Sequence, residues 1–310
     1  MRKIAFVFPG QGAQYVGMGK EFVENFKIAN DVFEKASDSL GYDMKKLCFE
    51  GPEEELKKTE NTQPAILTAS VAIYEVLKEH GHKPEIVAGL SLGEFSSLVA
   101  ANVMSFEDAV RVVKARGKYM QEEVPFGVGT MAAFIGLERT KVIEACERAS
   151  EYGIVEPANF NSPIQIVISG EVKAVEKAVE IGKELGAKKA MVLNVSAPFH
   201  SRMLSGAGEK LANELDSIKL GDFDYPVVAN VTSQYYEASS TVKQLLVKQV
   251  SNAVLWEDSV RRMIADGINT FVEVGPGKAL SGFIKRISRD VEILNVEDMK
   301  SLEKTLKALG

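Results

Sequence analysis

Apolar runs along the 310-residue chain predict strands at about 3–8, 85–89, 131–137, 153–158, 164–169, 190–195, 225–230, 270–274 and 291–295. Helix-period patterns fill most of the gaps, so the fold class is α/β. Residues 126–195 read strand, helix (Glu138 to Ser150), strand, strand, helix (Val172 to Leu185), strand. That is the β-α-β-β-α-β order of a ferredoxin-like unit. Phe126-Gly127-Val128-Gly129 offers a flexible entry and Asn194 to Pro198 an exit, so the unit reads as an insertion. The larger α/β body is then 1–125 together with 196–310, and the cleft between the two parts is the expected ligand site.

Where the apolar strand pattern ending in Ile86-Val87-Ala88 gives way to a helical one from about Leu92, Gly89 and Gly93 frame Ser91 as G-x-S-x-G. A strand-to-helix turn this sharp needs residues without a Cβ on either side of the serine, and it pushes the hydroxyl into the open. The helix start at Leu92 aims free N–H groups and a positive dipole end at the place where a carbonyl oxygen becomes negative during acyl transfer. Ser91 is therefore the candidate nucleophile.

Three histidines limit the search for its base. His80 and His82 lie in Lys78-Glu79-His80-Gly81-His82-Lys83-Pro84, a charged helix end that reads as a solvated turn. His200 follows Val195-Ser196-Ala197-Pro198-Phe199, where a strand pattern ends and a helical one begins near Ser201. There it can face a cleft and take the Ser91 proton, the alternative being a capping or core histidine. Asp108, the only aspartate between Ser91 and His200, sits in what reads as the first turn of a helix. A Ser-His dyad oriented by an amide or backbone carbonyl fits better than an Asp-based triad, with a glutamate as the remaining alternative.

Gln11, in the glycine-containing Phe8-Pro9-Gly10-Gln11-Gly12 segment after the first strand, is a candidate second oxyanion donor beside the Leu92 N–H. Arg116 shares a helical face with Val112, Val113 and Met120. A cation there needs an anionic partner, either an internal Glu or Asp or a substrate carboxylate.

The net charge of −6 argues against a nucleic-acid partner. Cys48 and Cys146 lie far apart without a C-x-x-C pattern and read as core thiols, with no metal site implied. The first apolar run, Ile4 to Pro9, is too short for a signal peptide and no later run reaches membrane-spanning length, so a cytoplasmic, soluble protein is expected.

Six motifs in order, Phe8-Pro9-Gly10-Gln11-Gly12, Asn61-Thr62-Gln63-Pro64-Ala65, Gly89-Leu90-Ser91-Leu92-Gly93-Glu94, Arg116-Gly117-x-x-Met120, Ser196-Ala197-Pro198-Phe199-His200-Ser201 and Glu273-Val274-Gly275-Pro276-Gly277, resemble the malonyl-CoA:acyl-carrier-protein transacylases over essentially the whole chain. The resemblance implies an α/β-hydrolase-like body carrying the ferredoxin-like insert. It implies Ser91 as nucleophile, His200 as base, Arg116 as clamp on the malonyl carboxylate, and the N–H groups of Gln11 and Leu92 as oxyanion hole. Gln249 matches the position whose backbone carbonyl holds the histidine, Gln63 and Asn159 match pocket residues, and Phe199 matches a pattern favouring malonyl over methylmalonyl. Leu90 replaces the family's usual histidine, Ala253 a common proline and Phe95 a tyrosine.

The implied reaction is ping-pong transfer from malonyl-CoA to the phosphopantetheine thiol of acyl carrier protein, supplying fatty acid biosynthesis, with no metal or redox cofactor. A serine hydrolase, a polyketide-pathway acyltransferase and a non-catalytic carrier-binding subunit are the rival classes. An acidic carrier would seek local basic surface, and two segments offer it: 278–289 (Lys278, Lys285, Arg286, Arg289) and 183–202 (Lys183, Lys188, Lys189, Arg202).

Overall fold

The computed structural model describes residues 2–310. Its strands are β1 (Ile4–Phe8), β2 (Ile86–Gly89), β3 (Gly129–Ile135), β4 (Val155–Ser162), β5 (Gln165–Glu171), β6 (Lys189–Val192), β7 (Thr270–Val274) and β8 (Glu292–Val296). Two four-stranded sheets result, one ordered β2-β1-β7-β8 and one ordered β4-β5-β3-β6. All neighbours in the first are parallel and all in the second antiparallel.

The parallel sheet is buried on both faces, which is why its strands read as continuous apolar runs. On β1, Phe6 and Phe8 enter one hydrophobic cluster and Ala5 and Val7 another. The antiparallel sheet alternates instead. Ala132 and Phe134 of β3 pack with the helices Arg139–Ala149 and Val172–Glu184, whereas Met131 and Ala133 join the large cluster on the opposite face. Val254, packed in the cluster that holds Ala5 and Val7, joins the antiparallel sheet by accepting from the Phe160 N–H at 2.9 Å and donating to the Ala158 carbonyl at 2.9 Å.

Eight of the nine expected strands are present, displaced by a few residues at their ends. The ninth, 225–230, is corrected. Val227 makes only an isolated parallel bridge to Val87, and Val228 one to Tyr235. Pro226 has no N–H to extend a ladder, and the chain turns back at once, with Ala229 donating to the Gln234 carbonyl at 2.9 Å.

Two helices deliver Gln63 and Arg116. Thr59–Glu79 is buried along most of its length, and Phe106–Glu123 lies against it. Gly117 permits the approach, since a Cβ there would stand 2.6 Å from the Thr59 carbonyl oxygen. The close crossing brings Gln63 beside Arg116. Asp108 has the plain role expected of it: Ser105 caps the helix, accepting from the Asp108 N–H, and the Asp108 carboxylate pairs with Arg111 at 2.5 Å. Likewise His80 ends its helix with Nδ1 2.8 Å from the Val76 carbonyl, and both cysteines are buried and free. Among the described residues, no helix is long and apolar enough to cross a membrane.

Candidate active site

Ser91 stands between β2 and the helix Leu92–Ala100 with φ 53° and ψ −105°. A side chain at Gly89 would collide with the backbone of Gly93, and one at Gly93 with the carbonyl of Phe8 on β1. Both glycines of the motif are thus required by close approach. The strained serine conformation is held from outside the turn. Asn230 accepts from the Ser91 N–H at 2.6 Å and donates to the Gly89 carbonyl at 2.7 Å.

The hydroxyl lies 2.7 Å from His200 Nε2, and His200 Nδ1 lies 2.8 Å from the Gln249 backbone carbonyl. A carbonyl only accepts, so Nδ1 carries the proton and Nε2 presents its lone pair to Ser91. Burial, with the Arg116 charge adding to it, pushes the imidazole down to about 4. His200 is therefore neutral at pH 7, as a proton acceptor must be. No carboxylate contacts it among the hydrogen bonds of the described residues, in line with the dyad expected from the sequence.

Arg116 is 1% exposed and has no ion-pair partner among the described residues. The alternative of an internal ion pair is thereby rejected. Its Nη1 donates to Gln63 Oε1 at 2.8 Å, and its Nη2 to Gln249 Oε1 at 2.9 Å and to Ser91 Oγ at 3.1 Å. Nε has no partner. Burial lowers the guanidinium to about 10, which still leaves it charged at neutral pH. The result is a buried cation, satisfied only by neutral oxygens, facing the serine hydroxyl.

These groups line a cavity of about 610 Å³ whose walls include Gln11, Gln63, Ser91, Arg116, Asn159, Phe199 and His200. Met131 and Val167 from the antiparallel sheet, which also carries Asn159, line it too. Gln249 sits behind the wall, fully buried, as does Leu92. Leu92 opens its helix, so its N–H has no acceptor within the helix. Gln11 is in the loop after β1, its side chain turned toward Thr59 Oγ1 at 3.5 Å. Leu90, in the place of the family's histidine, contributes apolar lining, and the Gln249 carbonyl reaches His200 with Ala253 in place of proline.

Four polar residues escaped sequence reasoning. Glu94, 1% exposed, accepts from Tyr236 Oη, from Gln249 Nε2 at 2.5 Å and from the Asn230 N–H at 3.2 Å. Burial pushes its carboxyl up to about 7. A carboxylate inside the apolar run Leu92-Gly93-Glu94-Phe95 was the available signal. Nothing local marked Asn230, which ends the segment expected as a strand, or Tyr236, which follows the turn beyond it. Asn161 lines the cavity with a buried, unpartnered Oδ1.

Residues 5–304 match the family described as an acyl transferase domain. The chain is 45% identical over 310 residues to the malonyl CoA-acyl carrier protein transacylase of Bacillus subtilis strain 168, covering all of this chain and 98% of that one. The crystal structure of the malonyl CoA-acyl carrier protein transacylase from Clostridium perfringens superposes with a TM-score of 0.97 at 51% identity, covering 99% of this chain and 97% of that one. A malonyl-transacylase in complex with a type II PKS acyl-carrier protein does so at 0.96 and 44% identity, covering 99% of both chains. With this similarity spanning the whole chain and its serine elbow, the protein belongs to the acyl transferase domain family and, within it, to the malonyl-CoA:acyl-carrier-protein transacylases.

Proposed function

We propose that this chain moves the malonyl group from malonyl-CoA to the phosphopantetheine thiol of acyl carrier protein through a malonyl-serine. The observation that carries the reading is the buried Arg116 guanidinium, which has no carboxylate of its own and touches Ser91 Oγ at 3.1 Å. In the first half-reaction Ser91 gives its proton to His200 Nε2 as Oγ bonds to the thioester carbonyl carbon. The negative oxygen of the tetrahedral intermediate is received by the N–H groups of Leu92 and Gln11. The C–S bond then breaks and the CoA sulfur takes the proton back from His200. In the second half the carrier thiol gives its proton to His200, its sulfur attacks the malonyl carbonyl, and Ser91 leaves with that proton. One thioester is exchanged for another, so no electrons change hands and the chemistry calls for no metal or redox cofactor.

Arg116 and Gln63 would hold the malonyl carboxylate, with Asn159 beside it and the Phe199 ring filling the space next to the α-carbon. A serine hydrolase would have no use for the buried cation. A polyketide carrier is the second acceptor to consider, favoured by the type II PKS carrier bound to one relative. We infer the boundaries as well. An α/β-hydrolase-like body of 1–125 and 196–310 would carry a ferredoxin-like insert at 126–195, a division supported by the β4-β5-β3-β6 order of the antiparallel sheet and by its separate hydrophobic cluster. A cytoplasmic setting fits a reaction between two soluble carriers.

The direct test is intact-protein mass. Mixed with malonyl-CoA, the protein should gain one malonyl group, and holo carrier protein should then remove it. Ser91→Ala should gain nothing; a malonylated alanine variant would end the mechanism. For the base, single-turnover acylation should fall only as pH drops through about 4, because the neutral imidazole exists above its lowered value. An acid limb centred near pH 6.5 would show that His200 is not the group titrating. The carrier's acidic surface is expected on Lys285 and Arg286, both exposed on the helix Ala279–Ile287, whose Ala279, Leu280 and Phe283 line the cavity. Reversing both charges should raise the apparent KM for carrier, less so as salt is added, while acylation by malonyl-CoA is retained. An unchanged KM at low salt, with an effect from Lys188 and Lys189 instead, would move the docking face to the antiparallel sheet.

A further inference from the structure

Behind the wall of the cavity, one side-chain amide makes the connection between the arginine and the rest of the interior. Gln249 Oε1 accepts from Arg116 Nη2 at 2.9 Å, and Gln249 Nε2 donates to the Ser91 carbonyl at 2.9 Å and to Glu94 Oε2 at 2.5 Å. An amide has one accepting end and one donating end, and reversing it would set an N–H₂ against the guanidinium. The Nε2 end is fixed because it faces the Glu94 carboxyl and a carbonyl oxygen. Glu94 in turn is held by Tyr236 Oη and the Asn230 N–H. All of these side chains are buried, Tyr236 at 7% exposure being the most accessible.

His200 hangs on a different part of the same residue. It meets the Gln249 backbone carbonyl, which belongs to the helix Val242–Ser251 and does not turn with the side chain. The arginine and the histidine are thus positioned by separate halves of Gln249, and only the side-chain half is under the control of Glu94.

We propose that Glu94 is a positioning residue for the malonyl site: through the Gln249 amide it fixes the acceptor that aims the Arg116 guanidinium, and so sets the preference for a carboxylated over a neutral acyl group. This rests on the transfer reaction proposed above and names what tunes its selectivity. The action is through hydrogen bonds. Glu94 faces Tyr236 and, beyond the Gln249 amide, the Arg116 charge, and either protonation state of its carboxyl leaves an oxygen for Gln249 Nε2.

The test is the ratio of acylation rates from malonyl-CoA and acetyl-CoA in competition, read by intact-protein mass. Glu94→Met and Gln249→Met should each lower the malonyl preference by about tenfold or more, the size of one lost charge-assisted hydrogen bond. Because both act on one link, the double variant should be within about threefold of the worse single variant. Glu94→Gln keeps an acceptor for Gln249 and should retain the preference within about threefold. Equal losses for both acyl groups in Glu94→Met, additive losses in the double variant, or a Gln variant as poor as the Met variant would overturn the proposal. Should Glu94→Met fail to fold, Tyr236→Phe removes one donor to Glu94 and should still lower the ratio by about threefold; an unchanged ratio there counts against it. The unmutated protein separates the two claims. If it takes up no malonyl group, the transfer reaction is wrong, whereas if it prefers malonyl and the variants do so equally, only the role of Glu94 is.

Discussion

The interior of this protein is arranged around a guanidinium that has been taken out of water without a carboxylate in direct contact, Glu94 lying beyond the Gln249 amide. Moving such a charge into a low-dielectric interior costs several kcal/mol even after relaxation, and neutral acceptors return only part of that. Arg116 is given Gln63 Oε1, Gln249 Oε1 and the Ser91 hydroxyl, while its Nε remains unpartnered. The supporting structure follows from the need to hold those acceptors still. Gly117 lets the arginine's helix approach the helix carrying Gln63, Glu94 and Asn230 brace Gln249, and Tyr236 holds Glu94. The same charge helps keep His200 neutral. Under the proposed reaction, a substrate carboxylate completes a site that the folded protein leaves electrostatically unfinished.

The serine elbow is a second constraint, met by backbone rather than charge. Ser91 at φ 53° is held there by Asn230 from a distant segment, and the two glycines of the motif are the places where β2, the following helix and β1 come too close for side chains. Strain at one residue is tolerated because groups on several elements over-determine it. The Ser91 hydroxyl and the free Leu92 N–H come from the same turn, so under the proposed reaction nucleophile and oxyanion donor are positioned together.

What the sequence made legible was mostly local. Strand and helix periodicities placed both sheets, the glycine spacing identified the elbow, and a cation on an apolar helix face identified Arg116. The polar braces were not legible, for a physical reason. Asn230 and Tyr236 acquire their roles only through contacts with residues far away in sequence; Asn230 ends a stretch whose apolar pattern imitated a strand, and Tyr236 lies just past the tight turn that follows it. Glu94 was the exception: a carboxylate within an apolar helix start is itself a signal, visible but read only as part of a motif. The division of labour within Gln249, backbone to His200 and side chain to Arg116, can be read only in three dimensions.

The central claim is that an unfinished buried charge selects the carboxylated acyl group. The most direct measurement is the acylation of Arg116→Ala by malonyl-CoA and by acetyl-CoA, each compared with the unmutated protein. Removing the guanidinium should cost the malonyl reaction about 2 to 5 kcal/mol of transition-state stabilisation, while acetyl, relieved of an unpaired cation, should lose little or gain. Equal losses for the two acyl groups would mean that Arg116 holds the fold together and selects nothing.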